Sequence, residues 1–245
     1  MENINLFFGL DDFDSMLPSD NIFNIPSLRM DRQPLCCTRP FFRFGEMRRT
    51  PENAGKGTLC FYEADTKFKN ITLEKILKQH PQFVVETNES IFDETDITEA
   101  LSIIKRKRYM SRILQNYGIG VFVDMHVSIR YSKMNLIGVP KGYKAYCTKG
   151  TSNIELLEYE YDLARNHAEG EDLIFVVYGG SKKCLDFCKN HAAIYVFPGL
   201  KLIGKANKLK IQDGALPIFD PFQVEEEIKK LWDNQITNFK SDFNG

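Results

Sequence analysis

From Gly57 onward, short and almost wholly apolar runs alternate with longer segments of helical period. The short runs occupy residues 58–64, 83–87, 120–124, 143–148, 173–178 and 193–197. They are too brief for helices and apolar on both faces, as expected of parallel strands that are covered by helices or closed into a barrel. Between them, the pattern predicts helices over 72–79, 96–117, 153–168 and 181–190, with a further short segment at 131–137. In the long helix Leu101, Ile104, Ile113, Leu114 and Tyr117 fall on one stripe, and Gly118 follows as a stop signal. Ser152 and Glu155 have capping-box spacing at the start of the next helix. The expected fold is an α/β, βα-repeat domain of about six mainly parallel strands, either an incomplete TIM-like barrel or an open doubly wound sheet.

The flanks read differently. Residues 1–56 lack sustained periodicity, and Pro18, Pro26, Pro34, Pro40 and Pro51 recur too often for ordinary helices. This is the pattern of an extended N-terminal arm. Its apolar pieces, Leu6-Phe7-Phe8 and Phe41-Phe42, gain by covering the chain's own domain or a protein partner. After Pro198 an extended stretch at 201–211 precedes a helix that starts at Asp220, with Pro221 in its first turn, and runs to about Ile236. Val224, Ile228, Leu231 and Trp232 give that helix a docking face. The expected division is therefore an arm at 1–56, a βα-repeat domain at 57–200 and a C-terminal extension at 201–245.

Composition narrows the class of protein. With 43% hydrophobic and 12% aromatic residues among 245, the chain can build a sizeable core, which argues against global disorder. A formal charge of −1 supplies no overall attraction to nucleic acid or acidic lipid, so any such affinity needs a local patch. The start, MENINLFFGLDDFDSM, has acidic residues where a secretory leader is basic, and no segment approaches the length of a membrane span. Six sparse cysteines fit reduced thiols, and the expected location is the cytoplasm.

In parallel α/β folds chemistry gathers at the carboxyl ends of strands. Glu63, Asp65, Glu86, Asp124 and His126 stand at those positions and form the candidate pocket. Asp65, Glu86, Asp124 and His126 would suit Mg²⁺ or Mn²⁺ and phosphoester hydrolysis; the competing reading is that strand-end carboxylates cap helices and hold loop amides. Two turns, Lys149-Gly150-Thr151-Ser152 and Gly179-Gly180-Ser181, join strands to helices and are candidate phosphate cradles, unless glycine merely permits the turn. Lys105, Arg106, Lys107, Arg108 and Arg112 put five cations into eight helical residues, a candidate grip on a nucleic-acid backbone or simply a solvated face. Cys184, Cys188 and His191 have poor spacing for zinc and read as buried thiols beside a helix end.

Several short motifs carry a family resemblance. Cys60-Phe61-Tyr62-Glu63-Ala64-Asp65-Thr66-Lys67-Phe68, residues 85–92, residues 108–118, Gly138-Val139-Pro140-Lys141-Gly142 leading into Thr148-Lys149-Gly150, and Val177-Tyr178-Gly179 are similar in order to the bacterial and phage domain-of-unknown-function family numbered 4417. The resemblance spans roughly residues 57–180. Cys60 replaces the family histidine, Ala64 its first aspartate, and Asn88 stands where another aspartate is expected, which puts a shared activity in doubt. What the resemblance implies is a phage or mobile-element setting in a bacterial cytoplasm. The functional expectation is a protein acting on or binding nucleic acid through the basic helix. The alternatives are a metal-dependent phosphoester hydrolase and a structural or virion-associated protein.

Overall fold

A computed structural model describes residues 17–38, 41–44, 55–62, 65, 71–170 and 172–196. Among these residues there are seven strands: β1 Phe41–Arg43, β2 Thr58–Cys60, β3 Phe83–Val85, β4 Gly120–Asp124, β5 Ala145–Lys149, β6 Ile174–Tyr178 and β7 Ile194–Val196. Four helices accompany them: α1 Leu73–Leu77, α2 Ile97–Asn116, α3 Ile154–Ala168 and α4 Lys182–Asn190. All six strand pairings are parallel, and the strands lie side by side in chain order. A doubly wound sheet needs a point where strand order reverses, and this order never does. Repeated crossovers of one hand between sequential neighbours leave the helices on one face and curl the other face inward.

Alternation along the strands confirms that curl. Phe42, Leu59, Phe61, Val84 and Val121 point outward and pack with Leu73 and Ile76 of α1 and Met110 and Leu114 of α2. Their neighbours Phe41, Cys60, Tyr62, Val85 and Phe122 point inward, into a cluster shared with Cys147 and Tyr178. Phe41 from β1 lies 6.4 Å from Tyr178 at the end of β6, and Tyr62 stacks on the same ring at 5.3 Å. Side chains of the first two strands thus meet those of the sixth across the interior. The sheet is nearly a barrel, and its centre is filled by aromatic packing.

The strands and helices fall where their patterns place them, with three differences. β1 comes from within the N-terminal arm and adds a seventh strand. The arm's described part is tied to its own domain: Ile25 and Leu28 are buried, and the Gln115 side chain receives the Arg29 amide at 2.7 Å and donates to its carbonyl at 3.1 Å. Residues 131–137 form no α-helix; single 3-10 turns at Ile129–Tyr131 and Met134–Leu136 bridge β4 to β5. At α3 the cap is Asn153, whose side chain accepts the Leu156 amide at 3.2 Å, in place of the expected Ser152 hydroxyl. Asp96 caps α2, and Gly118 ends it at φ +82, where the Ile119 amide reaches back to the Leu114 carbonyl. The expected strand at 201–211, the helix from Asp220 and the apolar Leu6-Phe7-Phe8 lie outside the described residues. No helix among the described residues is long and apolar enough to cross a membrane.

Candidate functional site at the carboxyl end of the sheet

The α2 helix supplies the decisive side chains. Ala100, Ile103, Ile104, Lys107, Arg108, Ser111, Leu114 and Gln115 share its buried side, spaced at three and four residues. Lys107 is 2% exposed and Arg108 0%. The two central cations of the basic run therefore enter the protein, a correction to the expectation that they grip a nucleic-acid backbone. Arg106 is bound by both Glu89 oxygens, at 2.9 and 2.8 Å, and Arg112 donates to Asn116. Lys105 remains half-buried on the helix flank.

Inside, Arg108 donates to a Glu86 carboxylate oxygen, to the Asn135 carbonyl and, at 3.0 Å, to the Ile137 carbonyl. It pins the β4–β5 connection to the end of β3. The second Glu86 oxygen accepts the Asp124 amide at 3.2 Å. Burial opposes ionisation of Glu86, but the charges of Arg108 and Lys107 outweigh it and hold the carboxyl below its ordinary 4.5.

Asp124, at the tip of β4, is the hub. One carboxylate oxygen accepts the Tyr62 hydroxyl at 3.0 Å and the His126 amide at 3.3 Å; the other accepts Asn88 Nδ2 at 3.0 Å. Lys107 Nζ stands 3.6 Å from that second oxygen and donates to the Asp124 carbonyl at 3.3 Å, which also receives Asn135 Nδ2 at 2.8 Å. Burial lowers the Lys107 pKa from 10.5, against the pull of Asp124 and Glu86.

Beside the hub, His126 turns Nδ1 toward Glu160 Oε1, 3.8 Å away, from a side chain that is 33% exposed. The Glu160 side chain is 1% exposed, and its Oε2 accepts the Thr148 hydroxyl at 2.6 Å. Burial pushes the Glu160 carboxyl well above 4.5, opposed by Thr148 and reinforced by the negative charge of Asp124. Burial also lowers His126 from 6.5; Asp124 works against that shift, and Lys149 and Lys107 add to it. At neutral pH the imidazole is neutral.

The expected pocket is thus partly assembled. Glu86, Asp124 and His126 come together. Asp65 does not join them: it is exposed and accepts the Ser90 hydroxyl at 3.1 Å. Glu63 lies outside the described residues. The expected Mg²⁺ or Mn²⁺ set of Asp65, Glu86, Asp124 and His126 does not fit a divalent ion, because Glu86 is engaged by Arg108 and Asp124 by Lys107, Tyr62 and Asn88. Among the described residues no three acidic, histidine or cysteine side chains are disposed to hold a metal. The two glycine turns converge, but on each other. A Cβ on Gly150 would collide with the Gly179 carbonyl, and one on Gly180 would come 2.6 Å from Cys184 Sγ, so glycine serves close backbone packing there. Thr151 accepts the Asn153 amide on its hydroxyl oxygen and the Cys184 thiol on its carbonyl, and Ser181 makes no side-chain cap to α4. Lys149 and Ser152 stay exposed. His191 stacks on Phe187 at 4.1 Å, apart from any ligand set.

Tyr62, Asn88, Lys107, Arg108, Asn135 and Glu160 were not among the expected pocket residues. A signal for three of them exists: Lys107, Arg108 and Glu160 occupy positions that the helical period assigns to the core, where an unpaired charge is costly. Matching the chain to protein-family models, to curated proteins and to solved structures finds no counterpart.

Proposed function

We propose that the carboxyl end of this sheet is the active site of an enzyme acting on a small anionic substrate, with His126 as the acid–base group. The observation that carries the reading is a partly exposed imidazole set among fixed buried charges, whose burial and lysine neighbours lower its pKa. Three features support it. Such groups are where proton transfer near neutral pH is arranged. The charges around it cancel in pairs, Arg108 with Glu86 and Lys107 with Asp124, and burial pushes the Glu160 carboxyl upward. The exposed Lys149 acts on His126 electrostatically and adds a positive charge that favours an anionic ligand. The phage or mobile-element setting, in a bacterial cytoplasm, is proposed on the family resemblance alone.

Chromogenic phosphomonoesters, phosphodiesters and carboxylate esters make a direct test. Turnover should fall at least about 100-fold in His126→Asn, the usual scale of a lost acid–base group. It should be unchanged in Asp65→Asn. No turnover by the wild-type protein, or turnover indifferent to His126→Asn, would contradict the reading.

A further inference from the structure

Glu160 is a buried acid apart from the Arg108–Glu86 and Lys107–Asp124 pairs. Its Oε2 is taken by the Thr148 hydroxyl, while Oε1 has no partner and faces His126 Nδ1, which also has none; both atoms are shielded from solvent. The 3.8 Å between them is just beyond hydrogen-bond range, and among the described residues no other polar atom satisfies either. Two buried atoms left facing each other at this distance are a donor and an acceptor. We propose that Glu160 is a positioning residue that carries a proton on Oε1 and donates it as a hydrogen bond to His126 Nδ1, so that neutral His126 presents Nε2–H to the ligand. This deepens the reading of His126 as the working group and rests on it. It specifies the ligand atom as a hydrogen-bond acceptor, such as an anionic oxygen, because an imidazole held in this tautomer is a donor outward.

The rival arrangement is an ionised Glu160 that accepts from Nδ1–H and leaves Nε2 bare as a base. Thr148 and Asp124 bear on the choice. The Thr148 hydroxyl donates to Oε2 and leaves Oε1 as the natural site of the proton. Asp124 adds a nearby negative charge that disfavours a second carboxylate. Facing His126 are Asp124 from β4, Lys149 from β5, Lys107 from α2 and Glu160 from α3; the two lysines disfavour an imidazolium, consistent with a neutral ring.

Nitrogen-15 NMR of the His126 ring distinguishes the two. The expected result is Nε2 protonated at pH 7.5, with the titration midpoint rising in Glu160→Met, where the donor to the neutral ring is gone. Glu160→Gln keeps both a donor for Nδ1 and an acceptor for Thr148, so it should restore the wild-type midpoint and tautomer. An Nδ1–H tautomer, or a midpoint that falls in Glu160→Met, overturns the proposal. Inorganic phosphate separates it from the reading beneath: a phosphate-dependent shift of Nε2 is expected, and its absence with the tautomer as stated would count against anion binding alone. Should Glu160→Met fail to fold, the wild-type tautomer and Glu160→Gln still decide the matter.

Discussion

Two cations that a reader of the sequence would assign to the surface are among the most buried side chains of the protein. Arg108 is wholly enclosed and bonded to Glu86 and to two carbonyls of the β4–β5 connection. Removing one partner of such a pair strands the other charge in the interior. Arg108→Met should therefore cost about 3–5 kcal/mol in denaturant unfolding, whereas the double replacement with Glu86→Leu should cost clearly less. Glu160 makes a prediction of opposite character. Its folded pKa is raised, so the stability it contributes is complete below pH 4.5 and is lost as pH rises toward the folded value. Glu160→Gln should remove that loss, and its stability relative to wild type should grow between pH 5 and pH 8. His167 works on the acid side. Burial lowers its pKa to about 4, with its Nδ1 2.9 Å from the Tyr146 hydroxyl, so its contribution holds above pH 6.5 and drains as pH falls toward 4. A pH series of melting curves on His167→Gln would lack that acid-side decline.

At the scale of elements, strands and helices were legible because their periods are undiluted. The strands are short runs buried on both faces, and α2 and α3 carry long apolar stripes closed by caps. A further strand from the arm was foreseeable, but the place of β1 was not legible: three residues, Phe41–Arg43, are too few to show a period and sit among prolines. The candidate site was half legible. Strand ends point to Glu86, Asp124 and His126, but the run from Lys105 to Arg112 stands out as a charge density, which masks its helical position. On the helix, Lys107, Arg108, Ser111 and Gln115 continue the stripe of Ile103, Ile104 and Leu114, which is why they are inside. The ends of elements offer their own test. Gly118, at φ +82, should cost about 1 kcal/mol when changed to alanine, and Asn153→Ala should cost about as much through the lost cap of α3.

At the scale of the whole molecule, sequential parallel strands bring the tips of β3, β4 and β5 to one end and curl β1 and β2 toward β6. That curl is what allows Tyr62 to reach Asp124, and it places a half-shielded imidazole above a packed aromatic interior. The end of the sheet is polar, its buried charges are paired, and His126 is a partly exposed titratable group among them. The most direct measurement is an NMR pH titration of His126 without and with inorganic phosphate. The midpoint should lie below 6.5 in the free protein and rise when phosphate binds, since an anion beside the ring favours its charged form. A midpoint at or above 6.5 that ignores phosphate would describe an ordinary surface histidine and contradict the assignment of this end of the sheet as the functional site.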